Sequence, residues 1–435
     1  MLFLEPFDGG SHRAFARGWK ARSRHAIEIA ALPARFWKWR VRGAGLAFAE
    51  RFAKRLDRFD AVVATSLLNA ADFAAATRLD LPLIVYFHEN QLSYPRPPGE
   101  PLDHGLALAS LASASAADAV VFNSTFHRDA FFRGLEEWVV RFPENAPAKM
   151  VRAIRRRSTV IRPGIDWQGL APLALRGPDG EGAGEDGNRR ESIADTGQGG
   201  DRWTRSIPRV PESPGRALKA SDKEAHTALR KGGVRTAEAP LILWNHRWEF
   251  DKNAPAFFWA LDQVAAAGRD FRVALLGENT QVVPTPFLEA RERLGARVVH
   301  YGFVPSEKAY RSWLGRADII VSTSKQENFG IAVTEAVAAG AFPLLPSRLA
   351  YPEVLPERFH EDCLYRSQND LVRRLDRLLA KPALLAQGRL ARSRAMRRYD
   401  WKSAALRLDA VVEREIAIWI PAGRAVRRRR RLSVR

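Results

Sequence analysis

The sequence predicts an α/β protein made of two doubly wound parallel sheets, and three observations carry the prediction. Ten short apolar runs, rich in β-branched residues, are each bounded by turn residues and followed by a longer Ala- or Leu-rich stretch. These runs fall into two sets of five. A Gly-, Pro- and charge-rich stretch separates the sets. Strands that are apolar throughout and alternate with helices belong to parallel sheets covered on both faces. A closed eight-stranded barrel is the competing architecture, and the break in the chain argues against it.

In the first set the expected strands are Met1–Glu5, Ala61–Thr65, Leu83–Phe87, Ala119–Asn123 and Thr159–Arg162. In the second they are Leu241–Asn245, Arg272–Gly277, Val298–Phe303, Ile319–Thr323 and Ala341–Leu345. The expected organisation is a first domain over 1–170, an insertion over 171–239 and a second domain over 240–400. The insertion holds runs such as Gly177–Gly187 and Pro211–Gly215, too poor in apolar residues to offset the entropy of ordering. It is therefore read as disordered, with Trp203 and a short helix at Ser221–Lys231 as its ordered-looking pieces. Arg162-Pro-Gly-Ile-Asp166 reads as the hinge leaving the first domain. Over 401–420 the residues Leu406, Leu408, Val411, Val412 and Ile416 form one apolar helical face, and Pro421 stops the helix. That helix is expected to cross back onto the first domain.

Composition narrows the function. The chain has 435 residues, and 69 Lys and Arg against 49 Asp and Glu leave a formal charge of +20. Twelve Trp and 23 Phe exclude a wholly disordered chain. One cysteine, Cys363, excludes a disulfide framework and a multi-thiolate metal site. No apolar run reaches the roughly 18 residues of a membrane span, and the segment after Met1 lacks a signal-peptide pattern, so a cytoplasmic location is expected. The basic tail over 421–435, with Arg427 to Arg431 at its centre, suits a polyanion such as tRNA or an anionic membrane.

The strongest local signal is Ser324-Lys-Gln-Glu327-Asn328-Phe329-Gly330-Ile-Ala-Val-Thr-Glu335. A strand runs into a loop carrying Glu327, and Gly330 opens a helix with Glu335 in its first turns. Free N–H groups and the helix dipole there suit an anion, while two flanking carboxylates can accept hydrogen bonds from sugar hydroxyls. Helix capping alone would also account for the two carboxylates. A second signal is Asn245-His-Arg247-Trp-Glu-Phe-Asp-Lys252-Asn253, where Arg247 can fork onto phosphate and Lys252 supplies a point charge. Such a pair neutralises a departing diphosphate. Taken singly, it is also a common solvated pattern.

In the first domain, Gly9, Gly10, Ser11 and His12 follow strand one, where two glycines permit close backbone approach or simply make a turn. His88, Glu89, Asn90 and Gln91 end a buried strand, at the edge where open α/β sheets bind ligands. Asn123-Ser124-Thr125 ends the next strand and reads equally well as a helix N-cap. Aromatics interleave with cations in Arg35-Phe36-Trp37-Lys38-Trp39-Arg40-Val-Arg42, a pattern suited to stacking on unpaired RNA bases or to a helix with a solvated basic face. No Asp-x-Asp or His cluster suggests a metal site, and no cofactor is expected.

The Glu327/Glu335 spacing with Arg247 and Lys252 resembles the E-x7-E retaining glycosyltransferases of the GT-B type, with two facing Rossmann-like domains. The longer strings resemble a narrower family, the tRNA-queuosine α-mannosyltransferases. They are Glu5-Pro-Phe-Asp-Gly-Gly-Ser-His12, Leu32-Pro-Ala-Arg-Phe-Trp-Lys-Trp-Arg40, Tyr86-Phe-His-Glu-Asn-Gln91, Val121-Phe-Asn-Ser124, Asn245–Asn253 and Glu327–Gly330. The likeness spans both domains and leaves out the insertion and the tail.

The resemblance implies retaining transfer of mannose from GDP-mannose, a nucleotide sugar, to the cyclopentenediol of queuosine in tRNA. On these residues it implies that Arg247 and Lys252 hold the diphosphate, helped by N–H groups at Phe329 and Gly330, with Asn328 beside them. Glu335 would bind the ribose, and Glu327 the sugar hydroxyls. His88 would face the reacting sugar. Gly9, Gly10, Ser11, His12, Glu89, Asn90, Trp37, Trp39 and Arg40 would lie on the acceptor side. The proton would pass to a leaving phosphate oxygen, with closure of the domains excluding water. Two rivals stand beside this reading. One is a glycosyltransferase of the same fold acting on a glycan, lipid or small molecule. The other is a nucleic-acid-binding protein with a vestigial sugar-nucleotide site.

Overall fold

The structure is a computed structural model, and it describes residues 1–95, 99–175, 239–277 and 283–419. The expected insertion beyond residue 175, including Trp203 and Ser221–Lys231, and the basic tail lie outside the described residues.

Two six-stranded sheets, parallel at every pairing, organise the chain. The first contains β1 (Leu2–Asp8), β2 (Glu28–Pro33), β3 (Val62–Thr65), β4 (Leu83–Phe87), β5 (Ala119–Phe122) and β6 (Ser158–Val160), in the order β2-β1-β3-β4-β5-β6. The second contains β7 (Leu241–Asn245), β8 (Arg272–Leu276), β9 (Val298–Gly302), β10 (Ile319–Val321), β11 (Phe342–Pro346) and β12 (Leu364–Tyr365), in the order β12-β11-β10-β7-β8-β9. The α/β class and the two Rossmann-like lobes match the sequence reading. Two strands go beyond it: β2 and β12 are both at sheet edges, where one flank is open and a continuous apolar run is not required.

Alternation along each strand divides the first lobe's core in two. Leu2, Leu4, Val62, Ala64, Leu83, Val85, Phe87, Val120 and Phe122 face one layer of helices, with Phe48, Phe52, Phe73, Phe131 and Leu135. Phe3, Val63, Ile84, Tyr86 and Val121 face the other. That second face is covered by the helix Gly10–Lys20 and by the helix Trp401–Trp419, which returns from the second lobe as the apolar stripe predicts. Trp401, Ala404, Leu408, Val411 and Val412 supply its buried side. Leu406, assigned to that face from the sequence, is instead 48% exposed. The fully buried Asp409 anchors the helix by accepting from Trp19 Nε1 at 2.8 Å, Ser23 Oγ at 2.7 Å and the Arg24 amide at 2.9 Å. The Trp401 ring fills the space over two glycines: a Cβ on Gly18 or Gly164 would lie 2.3 or 2.2 Å from it.

Contacts at two places beside residues 162–166 help to join the lobes. At the hinge, Ile165 donates to the Tyr399 carbonyl at 2.8 Å, and Trp401 donates to the Ile165 carbonyl at 3.1 Å. Nearby, the Glu353 carboxylate accepts from the amides of Thr125 and Phe126, which start the helix Thr125–Val139, and from Arg162 at 3.0 Å. A carboxylate at a helix N-terminus is electrostatically favoured, and this one ties the second lobe to the first.

Candidate active site

Each sheet reverses its strand order at one place, and ligands in open α/β sheets bind at the carboxyl ends beside such a reversal. In the first lobe the reversal lies between β1 and β3, and in the second between β7 and β10. Glu5 is on β1 and His12 follows it, while Ser66 follows β3. Arg247 and Lys252 follow β7, and Glu327 to Gly330 follow β10.

In the second lobe, Lys252 is 8% exposed, with Nζ 3.1 Å from Asp251 Oδ2, 3.3 Å from Glu327 Oε2 and 3.1 Å from the Gln326 carbonyl it donates to. Burial opposes its charge, but Glu327 and Asp251 overcome this and raise its pKa. Burial likewise disfavours the Glu327 carboxylate, and Lys252 then lowers its pKa below the usual range. Arg247 stands exposed at the same loop, 3.2 Å from Glu249, and the charge of Glu89 acts on it from the opposite lobe. Gly330 adopts φ +88°, a left-handed turn that suits glycine, and starts the helix Ile331–Ala338. Glu335 on that helix accepts from the Tyr310 hydroxyl at 2.7 Å, which in turn accepts from Asn245 at 2.8 Å. Burial pushes the Glu335 carboxyl up to about 7, against the opposing pull of the Tyr310 bond.

In the first lobe, buried His12 bridges two carboxylates. Its Nδ1 lies 3.1 Å from Glu5 Oε1 and its Nε2 lies 3.2 Å from Glu89 Oε2. Burial opposes protonation of His12, but Glu5 and Glu89 together raise its pKa to about 10. Glu89 also accepts from Ser66 at 2.7 Å. Burial disfavours its charge, yet His12 and Ser66 hold the carboxyl down at about 2. The His88 ring centre is 4.3 Å from that of His12; burial and the neighbouring positive charge keep His88 neutral. Glu5, His12 and His88 thus place ligand-type atoms within 4.8 Å of one another. No local sequence pattern marks that cluster, because its three residues come from separate segments of the chain. Its chemistry is that of an imidazolium spent on two carboxylates rather than a free ligand set.

The structure sets the loops carrying Arg247, Lys252 and Glu327 against those carrying His88 and Glu89, with the Asn328 amide donating to the His88 carbonyl at 3.3 Å and the charge of Glu89 acting on Arg247. Several expected contributors act differently. The amides of Phe329 and Gly330 face Glu327 Oε1, at 3.4 and 3.0 Å, so the anion they hold is the protein's own. The amides with no intrahelical partner are by helix geometry those of the following turn. The Phe329 ring is buried against Tyr399. Asn90 spends its side chain on Leu92 and Ser93. Gly9 is small because a Cβ there would lie 2.5 Å from that of Ala34, whereas Gly10 has open space and φ +47°. Ser11 is exposed at the start of its helix. Trp37 packs beside Phe7, Val41 and Leu106, while Trp39 stays exposed. Arg40 donates to the Pro33 carbonyl at 3.2 Å. Ser124 is the N-cap of its helix.

Sequence reasoning missed Ser66, Tyr310 and Glu353. Each lies far in sequence from the partner it serves, and no local pattern marks it. Tyr94 was missed too; it faces Asp251, and burial followed by that carboxylate raises its pKa beyond the usual phenol range.

Comparison with known proteins agrees with this geometry. Residues 1–165 match the family described as tRNA-queuosine alpha-mannosyltransferase N-terminal, and residues 227–394 match glycosyl transferases group 1. A Drosophila melanogaster tRNA-queuosine alpha-mannosyltransferase is 29% identical over 393 residues, which is 89% of each chain. Among solved structures, a Thermosynechococcus elongatus sucrose-phosphate synthase aligns with a TM-score of 0.64 at 14% identity, covering 96% of this chain and 99% of its own. Anabaena HepE in complex with UDP-glucose aligns at 0.61 and 14%, covering 95% and 98%. These two establish the fold, a GT-B arrangement. The chain is a glycosyltransferase, with an amino-terminal lobe that matches the tRNA-queuosine alpha-mannosyltransferase N-terminal model and similarity along both lobes to a tRNA-queuosine alpha-mannosyltransferase.

Proposed function

We propose that this enzyme transfers mannose from GDP-mannose to a hydroxyl of the queuosine cyclopentenediol in tRNA, with retention at the anomeric carbon. The observation that carries the reading is that the loop bearing Glu327 and Asn328 meets the loop bearing His88 and Glu89, the Asn328 amide donating to the His88 carbonyl and the charge of Glu89 acting on Arg247, while Lys252 pairs with Glu327. Arg247 and Lys252 would neutralise the diphosphate as its bond to the sugar breaks, so that no divalent ion or further cofactor is called on. Glu335, held by Tyr310, would accept from the ribose hydroxyls, and Glu327 would orient the sugar. The attacking hydroxyl would approach on the face the diphosphate leaves, and a leaving phosphate oxygen would take its proton. A carboxylate nucleophile is then unnecessary. His88, neutral and with its buried Nε2 unpartnered, would hydrogen-bond the sugar without competing for the proton. A tRNA acceptor places the reaction in the cytoplasm.

The test supplies labelled GDP-mannose, UDP-galactose or UDP-glucose with tRNA that contains or lacks queuosine. Labelling by GDP-mannose confined to queuosine-containing tRNA, and undiminished by EDTA, is the expected result. Equal labelling of both tRNAs removes the queuosine assignment; labelling from a UDP-sugar alone removes the donor assignment.

A further inference from the structure

Phe36 and Trp39 stand 70% and 71% exposed, unlike Trp37 between them, which is packed beside Phe7 and Val41. Large apolar side chains gathered in one exposed place usually mark an interaction surface. Phe36 precedes the helix Trp37–Phe52 and takes a left-handed conformation, φ 55° and ψ 46°. That geometry is strained for a bulky residue, at a position where Ser or Asp would normally cap the helix. The Phe36 side chain gains no burial in return.

Residues 35–42 carry four cations and no acid. Lys38 lies 3.6 Å from Glu100 and Arg42 lies 2.5 Å from Asp103, so two of the four are neutralised. Arg35 and Arg40 remain beside each other. Burial first, then Arg35, lowers the Arg40 pKa, and two like charges in this position favour an anion. The patch adjoins the cleft. Pro33 pairs in register with Asp8, Ala34 packs on Gly9, and Phe7 contacts both the Trp37 cluster and, with ring centres 6.0 Å apart, His12. A polyanion with flat apolar faces is what this surface accommodates.

We infer that Phe36 and Trp39 grip unpaired nucleobases flanking the modified nucleotide while Arg35 and Arg40 take the adjoining phosphates, so that the acceptor is recognised as a single-stranded RNA segment. The inference rests on the tRNA reading above and specifies how that acceptor is held.

The experiment measures KM for queuosine-containing tRNA in Phe36→Ala, Trp39→Ala, Trp39→Phe, Trp39→Leu and Arg35→Ala, with GDP affinity as the check on folding. Loss of one stacked base is expected to raise the tRNA KM by roughly 5- to 150-fold. Trp39→Phe should stay near the wild-type value, and Trp39→Leu should match Trp39→Ala, because stacking needs an aromatic face. Arg35→Ala should flatten the dependence of log KM on log salt, whereas Trp39→Ala should leave that slope unchanged. An unchanged KM in Phe36→Ala and Trp39→Ala, or a Trp39→Leu indistinguishable from wild type, overturns the grip while leaving the activity standing. Failure of the wild-type enzyme to label queuosine-containing tRNA overturns both.

Discussion

Asn328 in the second lobe donates its side-chain amide to the main-chain carbonyl of His88 in the first, at 3.3 Å, and Asn123 donates to the same carbonyl at 2.8 Å. His88 is therefore registered against both lobes. Asn328→Ala should lower kcat by roughly 2- to 10-fold, the equivalent of one net hydrogen bond of about 0.5–1.5 kcal/mol. The KM for the donor should hardly change. Asn328→Asp should be worse, since a carboxylate cannot donate to the carbonyl. Steady-state kinetics on the two variants decides it.

Lys252 is the counter-charge of two acids at once, Asp251 and Glu327. Lys252→Ala should lose about 3–5 kcal/mol of stability, because buried carboxylates are left unpaired. It should also abolish turnover. Lys252→Met combined with Glu327→Gln should regain part of the stability but none of the activity, since the pair's charge and not its volume serves the diphosphate. Thermal unfolding and turnover measured on the same preparations separate the two effects.

The His12 bridge gives the fold a pH signature. Its pKa rises on folding from 6.5 to about 10, so its contribution is complete below pH 6.5 and is lost as the pH climbs to about 10. The Glu89 pKa falls on folding from 4.5 to about 2, so its contribution is complete above pH 4.5 and is lost as the pH drops to about 2. Both are whole between pH 4.5 and 6.5. Urea unfolding across the pH range should show stability declining above pH 6.5, and His12→Gln should flatten that decline.

Glu335 shares the sign of His12 and opposes that of Glu89. Its folded pKa of about 7 lies above the ordinary 4.5, so the folded chain holds a proton that the unfolded chain has released, and this site costs stability as the pH rises from 4.5 to 7. Donor binding should strengthen over the same rise, because only the carboxylate accepts from both ribose hydroxyls. Calorimetric titration of GDP should show affinity increasing through about pH 7, with Glu335→Gln weak and flat. Tyr310→Phe removes a bond to the carboxylate and should move the midpoint upward.

Both sheets, the crossing helix and the two ends of the cleft were legible in the sequence because each is written in continuous chain. Strand periodicity marks β4 and β7, and Glu327, Gly330 and Glu335 share one short segment. What escaped is set by distance along the chain. Ser66 reaches Glu89, Tyr310 reaches Glu335, and Glu353 reaches Thr125 only after the fold has formed. The motif around Gly9 was legible, but its reason was not. The residue that excludes a side chain there is Ala34, from the neighbouring strand's end. Similarly, the string around Trp37 and Trp39 gives no hint that one ring is packed and the other is left in water.

The helix Trp401–Trp419 covers one face of the sheet that opens the chain, with Trp401 seated over Gly18 and Gly164. During synthesis the part of that face left open by the helix Gly10–Lys20 must therefore wait until the far end of the second lobe has been made. A fragment ending at Asp166 would lack the Trp401 ring that meets Phe15 and the apolar side of the helix it begins. The amino-terminal lobe is in this sense the last part of the molecule to be finished.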